Sequence, residues 1–164
     1  MRFVERYRAV VDLPDPELAD VDLVVFLAGI DALIGAELRE RGIDFAVSAA
    51  EAGRHVRADE ALHEQAVLNL VKNASEAVAG TPEARIRLSC TRTSGLVTLS
   101  VSDNGVGVPE DQLEEIFVPF FTTKSEGAGL GLALSRQIAL AHGGRLTARR
   151  TGNAGTIFDL VLAA

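Results

Sequence analysis

DNGVGVPEDQLEEIFVPFFTTKSEGAGLGLALSRQIALAHGG, residues 103–144, decides how this chain is read. It holds two glycine clusters, Gly105 with Gly107, and Gly127 with Gly129 and Gly131. Each stands where one kind of structure gives way to another. The first follows a strand pattern in which Val97, Leu99 and Val101 alternate with polar residues, and an acid, Asp103, ends that strand. The second opens a helix over 130–141, with apolar residues at helical spacing. Glycine allows positive φ and lets a ligand or another backbone come close. A glycine loop that feeds a helix N-terminus presents free N–H groups and the positive end of the helix dipole, which suits a phosphate.

Upstream, the spacing predicts a helix over 59–78. On a helical wheel Leu62, Ala66, Val67, Leu70, Val71, Ala74, Ala77 and Val78 cover an arc of about 180°. Asn73 falls inside that arc, and Asn69 lies on its border one turn earlier. A buried amide without partners costs about 1–3 kcal/mol. A polar residue that breaks an apolar face is therefore either bonded structurally to a neighbouring loop or there for function.

Composition excludes several classes. At 48% hydrophobic and 24% charged, the 164 residues suit one globular domain. The net charge is −7 and no basic stripe is visible, so nucleic acid is not an expected partner. Cys90 is the single cysteine, which rules out an internal disulfide and a zinc–thiolate cluster. The longest apolar run, 23–30, is too short to span a bilayer, and the start has no signal-peptide pattern. The expectation is a cytoplasmic protein, with any membrane attachment made by parts outside this chain.

The remaining segments complete an α+β reading. Residues 1–19 read as the end of a helix (Val4, Tyr7, Val10 or Val11), followed by a stiff linker at Pro14 and Pro16. This opening helix looks cut, so the chain is expected to be a piece of a longer protein. Asp20 or Asp22 is expected to cap a helix running to about Arg41, ended by Gly42. Strands are expected at Ile43–Phe45–Val47, at the short stretch His55–Val56–Arg57, and at Ile86–Leu88–Cys90. Further strands are expected at 96–102, at Leu146–Ala148 and at 157–162. About five core strands in a mixed sheet, with three main helices on one face, make a two-layer α/β sandwich. A boundary is expected between 1–19 and a domain over 20–164.

Taken in order, the motifs resemble those of the ATP-binding catalytic domain of sensor histidine kinases, in the wider group of gyrase, Hsp90 and MutL ATPases that share the Bergerat fold. NLVKNASEA (69–77) resembles the N box and DNGVG (103–107) the G1 box. FVPFFTTK (117–124) resembles the F box and GAGLGLAL (127–134) the G2 box. The opening FVERYRAVVDLPDPEL is similar to the end of a dimerisation-domain helix in nitrogen-regulator-type kinases.

The resemblance implies a set of roles. Asp103 would accept a hydrogen bond from the adenine amino group, and Gly105 and Gly107 would let the backbone pass close to the adenine. Asn73 would bind Mg²⁺ through its amide oxygen, as a hard ion that shares phosphate oxygens requires. Asn69 would sit toward the phosphates, and Gly127, Gly129, Leu130 and Gly131 would present N–H groups to them. Lys124 would either touch a phosphate or remain solvated. Phe117, Phe120 and Phe121 would anchor the short lid by packing. The implied partners are a histidine-bearing dimerisation domain of the same kinase and a response regulator.

Two departures bear on mechanism. Many relatives carry a lysine where this chain has Glu76, with Lys72 nearby. Gyrase-like ATPases place a water-activating glutamate where this chain has Asn69, and an amide cannot serve as that base. None of the three histidines suits a phosphoacceptor: His63 is expected in the core or near a cap, His142 at a helix end and His55 in a short strand. Cys90 is expected in the core with Ile86 and Leu88.

Overall fold

The structure is a computed structural model and describes residues 13–49, 55–122, 129–152 and 154–163. In chain order, β1 (Ala19–Asp22) leads into α1 (Leu23–Ile30), a π turn (Asp31–Gly35) and α2 (Ala36–Glu40). Then come β2 (Asp44–Ala49), β3 (His55–Ala58), α3 (Glu60–Ala77), β4 (Arg85–Thr93) and β5 (Leu96–Asp103). After two single-turn 3₁₀ segments, α4 (Gly131–Ala141), β6 (Arg145–Arg150) and β7 (Thr156–Ala163) complete the fold.

Period-two alternation makes the sheet one-sided. Ile86, Leu88 and Cys90 of β4, Val97, Leu99 and Val101 of β5, and Phe158, Leu160 and Leu162 of β7 are all buried on the face that the helices cover. Arg85, Arg87, Thr98, Ser100, Ser102 and Asp159 alternate with them on the other face. Each fully buried Leu, Ile or Val contributes about 1.5–3 kcal/mol. The five-stranded order is β2-β4-β5-β7-β6, with β2 parallel to β4 and the other pairs antiparallel. This is the expected mixed sheet and two-layer α+β sandwich, and Cys90 lies in its core.

Asp22 and Gly42 cap where the sequence places them, and Asp59 caps α3 as well. The Asp22 carboxylate accepts from the N–H groups of Val24 (3.0 Å) and Val25 (3.3 Å), and the Asp59 carboxylate accepts from Leu62 N–H (3.1 Å). Gly42 ends α2 in a Schellman motif: its own N–H donates to the Arg39 carbonyl, and the N–H of buried Ile43 donates to that of buried Leu38.

Three features differ from the sequence reading. The helix expected to run unbroken to about Arg41 contains the π turn. There Asp31 and Arg39 pair at 2.5 Å across Gly35, whose missing side chain leaves them room. Strand β1 is not visible in the short, acidic sequence ADVD; it forms by pairing antiparallel with β3. Strand β3 therefore belongs to a separate two-stranded ribbon and not to the main sheet. Residues 13–18 are tied to this ribbon. Leu13 packs on the core, Glu17 N–H donates to the Asp59 carboxylate (3.0 Å), and the Leu18 carbonyl accepts from Arg57 (2.9 Å). Among the described residues, no helix is long and apolar enough to cross a membrane.

Candidate functional site

The inward row of β5 runs Val97, Leu99, Val101 and ends on Asp103, so alternation places a carboxylate where the pattern calls for a hydrophobe. Asp103 is 4% exposed. Its Oδ1 accepts from Gly105 N–H at 2.8 Å, while its Oδ2 is buried with no hydrogen-bond partner among the described residues. Burial pushes the carboxyl above the ordinary carboxylate range, against the backbone amides of Gly105 and Thr156, which pull it down. A buried acceptor left without a donor is costly and is the kind of feature a bound ligand resolves.

The turn after Asp103 is wedged between two backbones. A Cβ at Gly105 would come within 2.3 Å of the Ala77 carbonyl oxygen at the end of α3, and Val106 N–H donates to that same oxygen at 3.2 Å. On the other side, a Cβ at Gly155 would come within 2.2 Å of the Asp103 carbonyl oxygen, and Gly107 lies against Gly155. Neither Gly155 nor Asn104 was among the expected site residues. The Asn104 side chain accepts from Arg85 N–H (2.7 Å) and donates to the Glu83 carbonyl (2.9 Å), which ties this turn to the start of β4. The Asx chemistry of an Asp-Asn-Gly turn is the signal that could have found it.

Helix α3 carries both asparagines at the half-buried border of its apolar face. Asn73 Nδ2 donates to the Asn69 carbonyl at 2.8 Å. Asn69 Nδ2 reaches across to the Gly131 carbonyl at 3.4 Å, and the Asn69 side chain lies about a van der Waals contact from where a Gly131 Cβ would stand. Leu130, buried, is the N-cap of α4 and supplies no side-chain acceptor to the helix's first N–H groups. Among the described residues, no three His, Cys, Asp or Glu side chains cluster to hold a metal.

The phenylalanine segment joins this site in an unexpected way. Phe117 is buried, packs edge-on to Phe158 at 6.5 Å between ring centroids, and lies under the Arg136 guanidinium of α4 at 5.0 Å. Phe121 is partly buried against the core. Phe120 is 44% exposed, so its side chain is not buried as that of Phe117 is, and its backbone adopts φ +70°. Its backbone holds the glycine loop instead: Phe120 N–H donates to the Gly129 carbonyl at 2.9 Å, and a Cβ at Gly129 would meet the Phe120 carbonyl carbon at 2.6 Å. Lys124 and Gly127 lie outside the described residues.

The structure thus brings Asn69 and Asn73 of α3, Asp103–Gly107 at its C-terminal end, and Gly129–Gly131 at the start of α4 around one stretch of helix. A family model described as histidine kinase-, DNA gyrase B-, and HSP90-like ATPase matches residues 58–164. The chain belongs to this family. It carries the ATP-binding catalytic domain of a sensor histidine kinase. The C4-dicarboxylate transport sensor protein DctS of Rhodobacter capsulatus is 33% identical over 97% of this chain and 24% of its own length. The solved catalytic domain of histidine kinase ThkA superposes with a TM-score of 0.81 at 32% identity, covering 90% of this chain and 95% of that one. ThkA has also been solved in complex with the response regulator protein TrrA, at 26% identity and a TM-score of 0.79, over 98% of this chain and 47% of that one. Full-length ShkA, solved in complex with AMPPNP, gives a TM-score of 0.85 at 27% identity over 99% of this chain and 35% of that one. The chain spans 16–27% of the length of the first curated relatives it matches.

Proposed function

We propose that this domain holds one Mg²⁺–ATP between α3 and α4 and presents its γ-phosphate to a histidine on a dimerisation domain, from which the phosphoryl group passes to a response regulator. The observation that carries the reading is the buried Asp103 Oδ2, without a donor among the described residues, at the end of the inward row. It accepts from the adenine amino group, and a ring carbonyl in that place is repelled.

The other residues follow from their chemistry. Gly105 and Gly107 shape the turn beside the base. Asn73 would hold the metal through its amide oxygen, the kind of hard ligand Mg²⁺ takes. The amides at Gly129, Leu130 and Gly131, with Gly127, would meet the phosphates, and Asn69 and Lys124 would help to place them. Once bound, the metal neutralises phosphate charge, and the chain's own part is to position the nucleotide and exclude alternative poses.

Asn69 argues against a gyrase-like hydrolase. Its amide braces Gly131 and takes no proton from water. The nucleophile is then the partner's imidazole, and the setting is the cytoplasmic side of a sensor whose other parts lie outside this chain. The test is incubation with γ-labelled ATP, alone and with the cognate dimerisation domain. Label should appear on the dimerisation domain only; stable label on this chain alone would contradict the reading.

A further inference from the structure

His142 and Asp59, 83 residues apart, meet where the end of α4 packs on the start of α3. Asp59 backbone N–H donates to His142 Nε2 at 3.1 Å, and the other nitrogen of the ring, Nδ1, lies 2.7 Å from the Ile138 carbonyl. A carbonyl only accepts, so Nδ1 carries the proton and Nε2 is the bare acceptor. The two contacts fix both the tautomer and the ring orientation.

Asp59 is equally committed. Its carboxylate receives Leu62 N–H and Glu17 N–H, and its carbonyl receives His63 Nδ1–H at 2.8 Å. The His63 ring stands edge-on to His142 with centroids 4.2 Å apart, so it packs the joint from the α3 side.

Helices α3 and α4 run antiparallel through this joint. At one end His142 takes the Asp59 N–H. At the other, Asn69 reaches the Gly131 carbonyl at 3.4 Å, and the Ser135 hydroxyl reaches the Ala66 carbonyl at 3.4 Å. Sliding one helix along the other would alter the distance between Asn73 and the amides at Gly129–Gly131. The Asn69 contact is long, so it sets the register weakly; the His142 bond is shorter and joins groups that are both oriented by further bonds.

We propose that His142 is a positioning residue for nucleotide binding: its Nε2, by accepting the Asp59 N–H, sets the register of α3 on α4 and with it the spacing between Asn73 and the Gly129–Gly131 amides. The proposal rests on the nucleotide-site reading above. It gives His142 a role at a distance from the nucleotide that no contact with ATP would reveal.

The test is calorimetric titration of the 164-residue chain with Mg²⁺–ADP, alongside His142→Phe and His142→Gln. Phenylalanine keeps the ring and removes the acceptor, and the expected affinity loss is about fivefold, the scale of one lost helix cap. Glutamine puts an amide oxygen near the place of Nε2 and should restore binding to within about twofold. A filler role would make the two variants equally weak; that result, or full binding by His142→Phe, overturns the proposal. Should His142→Phe not fold, the ¹⁵N spectrum of the unaltered protein decides: an Nδ1-protonated ring supports the proposal and an Nε2-protonated ring overturns it. No heat from the unaltered chain would instead remove the nucleotide reading beneath it.

Discussion

Gly105 lies so close to Ala77 that a single added carbon would stand 2.3 Å from the Ala77 carbonyl oxygen. The turn that follows Asp103 is therefore set by contact with the end of the helix that carries Asn69 and Asn73. Gly105→Ala would push α3 and the turn apart. Overpacking against backbone should destabilise the fold by about 3 kcal/mol and weaken nucleotide binding together. Thermal melts and a nucleotide titration on the same sample check both.

Asp103→Asn separates folding from recognition. The amide has one acceptor oxygen, and Gly105 N–H already uses the Oδ1 position. The other position becomes an NH₂ donor facing the adenine amino group. ADP affinity should fall about a hundredfold, the scale of a hydrogen bond to a charged group replaced by a donor–donor clash. Removing a buried charge leaves the melting temperature level or higher at neutral pH. A large drop in melting temperature would show that the carboxylate is structural.

Asn73→Ala removes the proposed metal ligand while leaving the α3 backbone intact. In the unaltered chain Mg²⁺ should tighten ADP binding by about tenfold or more; in the variant its addition should change affinity by less than about twofold. Titrations with and without a chelator read this directly.

His63 gives the fold a pH dependence of known sign. The ring is 2% exposed, and burial lowers its pKa from 6.5 to about 4. Between these values the unfolded chain binds the proton and the folded chain does not. The stability contribution is thus complete above pH 6.5 and is lost as pH falls toward 4, a change of about 3 kcal/mol. Denaturant melts across this range should show that slope, and His63→Leu should flatten it.

Much of this was legible in the sequence because short-range patterns carry it. Alternation along β5 marked Asp103 as the residue out of pattern, and the helical wheel marked Asn69 and Asn73. The glycine clusters marked the close approaches, though Gly105 turns out to be filled by Ala77 backbone. What stayed hidden depends on partners distant in sequence. Strand β1 exists only because β3 pairs with it. At the π turn, Asp31 pairs across Gly35 with Arg39, eight residues on. Phe120 looked like an anchor because aromatic residues usually bury their rings, yet here its backbone N–H does the holding. The Asp59–His142 bond spans 83 residues, beyond any periodicity.

The central claim is that Asp103 recognises the adenine amino group. The most direct measurement is a calorimetric comparison of Mg²⁺–ADP with Mg²⁺–IDP, which carries a ring carbonyl in place of that amino group. ADP should bind, and IDP should bind about a hundredfold more weakly, since its carbonyl oxygen meets the Asp103 carboxylate. Equal affinity for the two nucleotides, or no binding of ADP, would contradict the account.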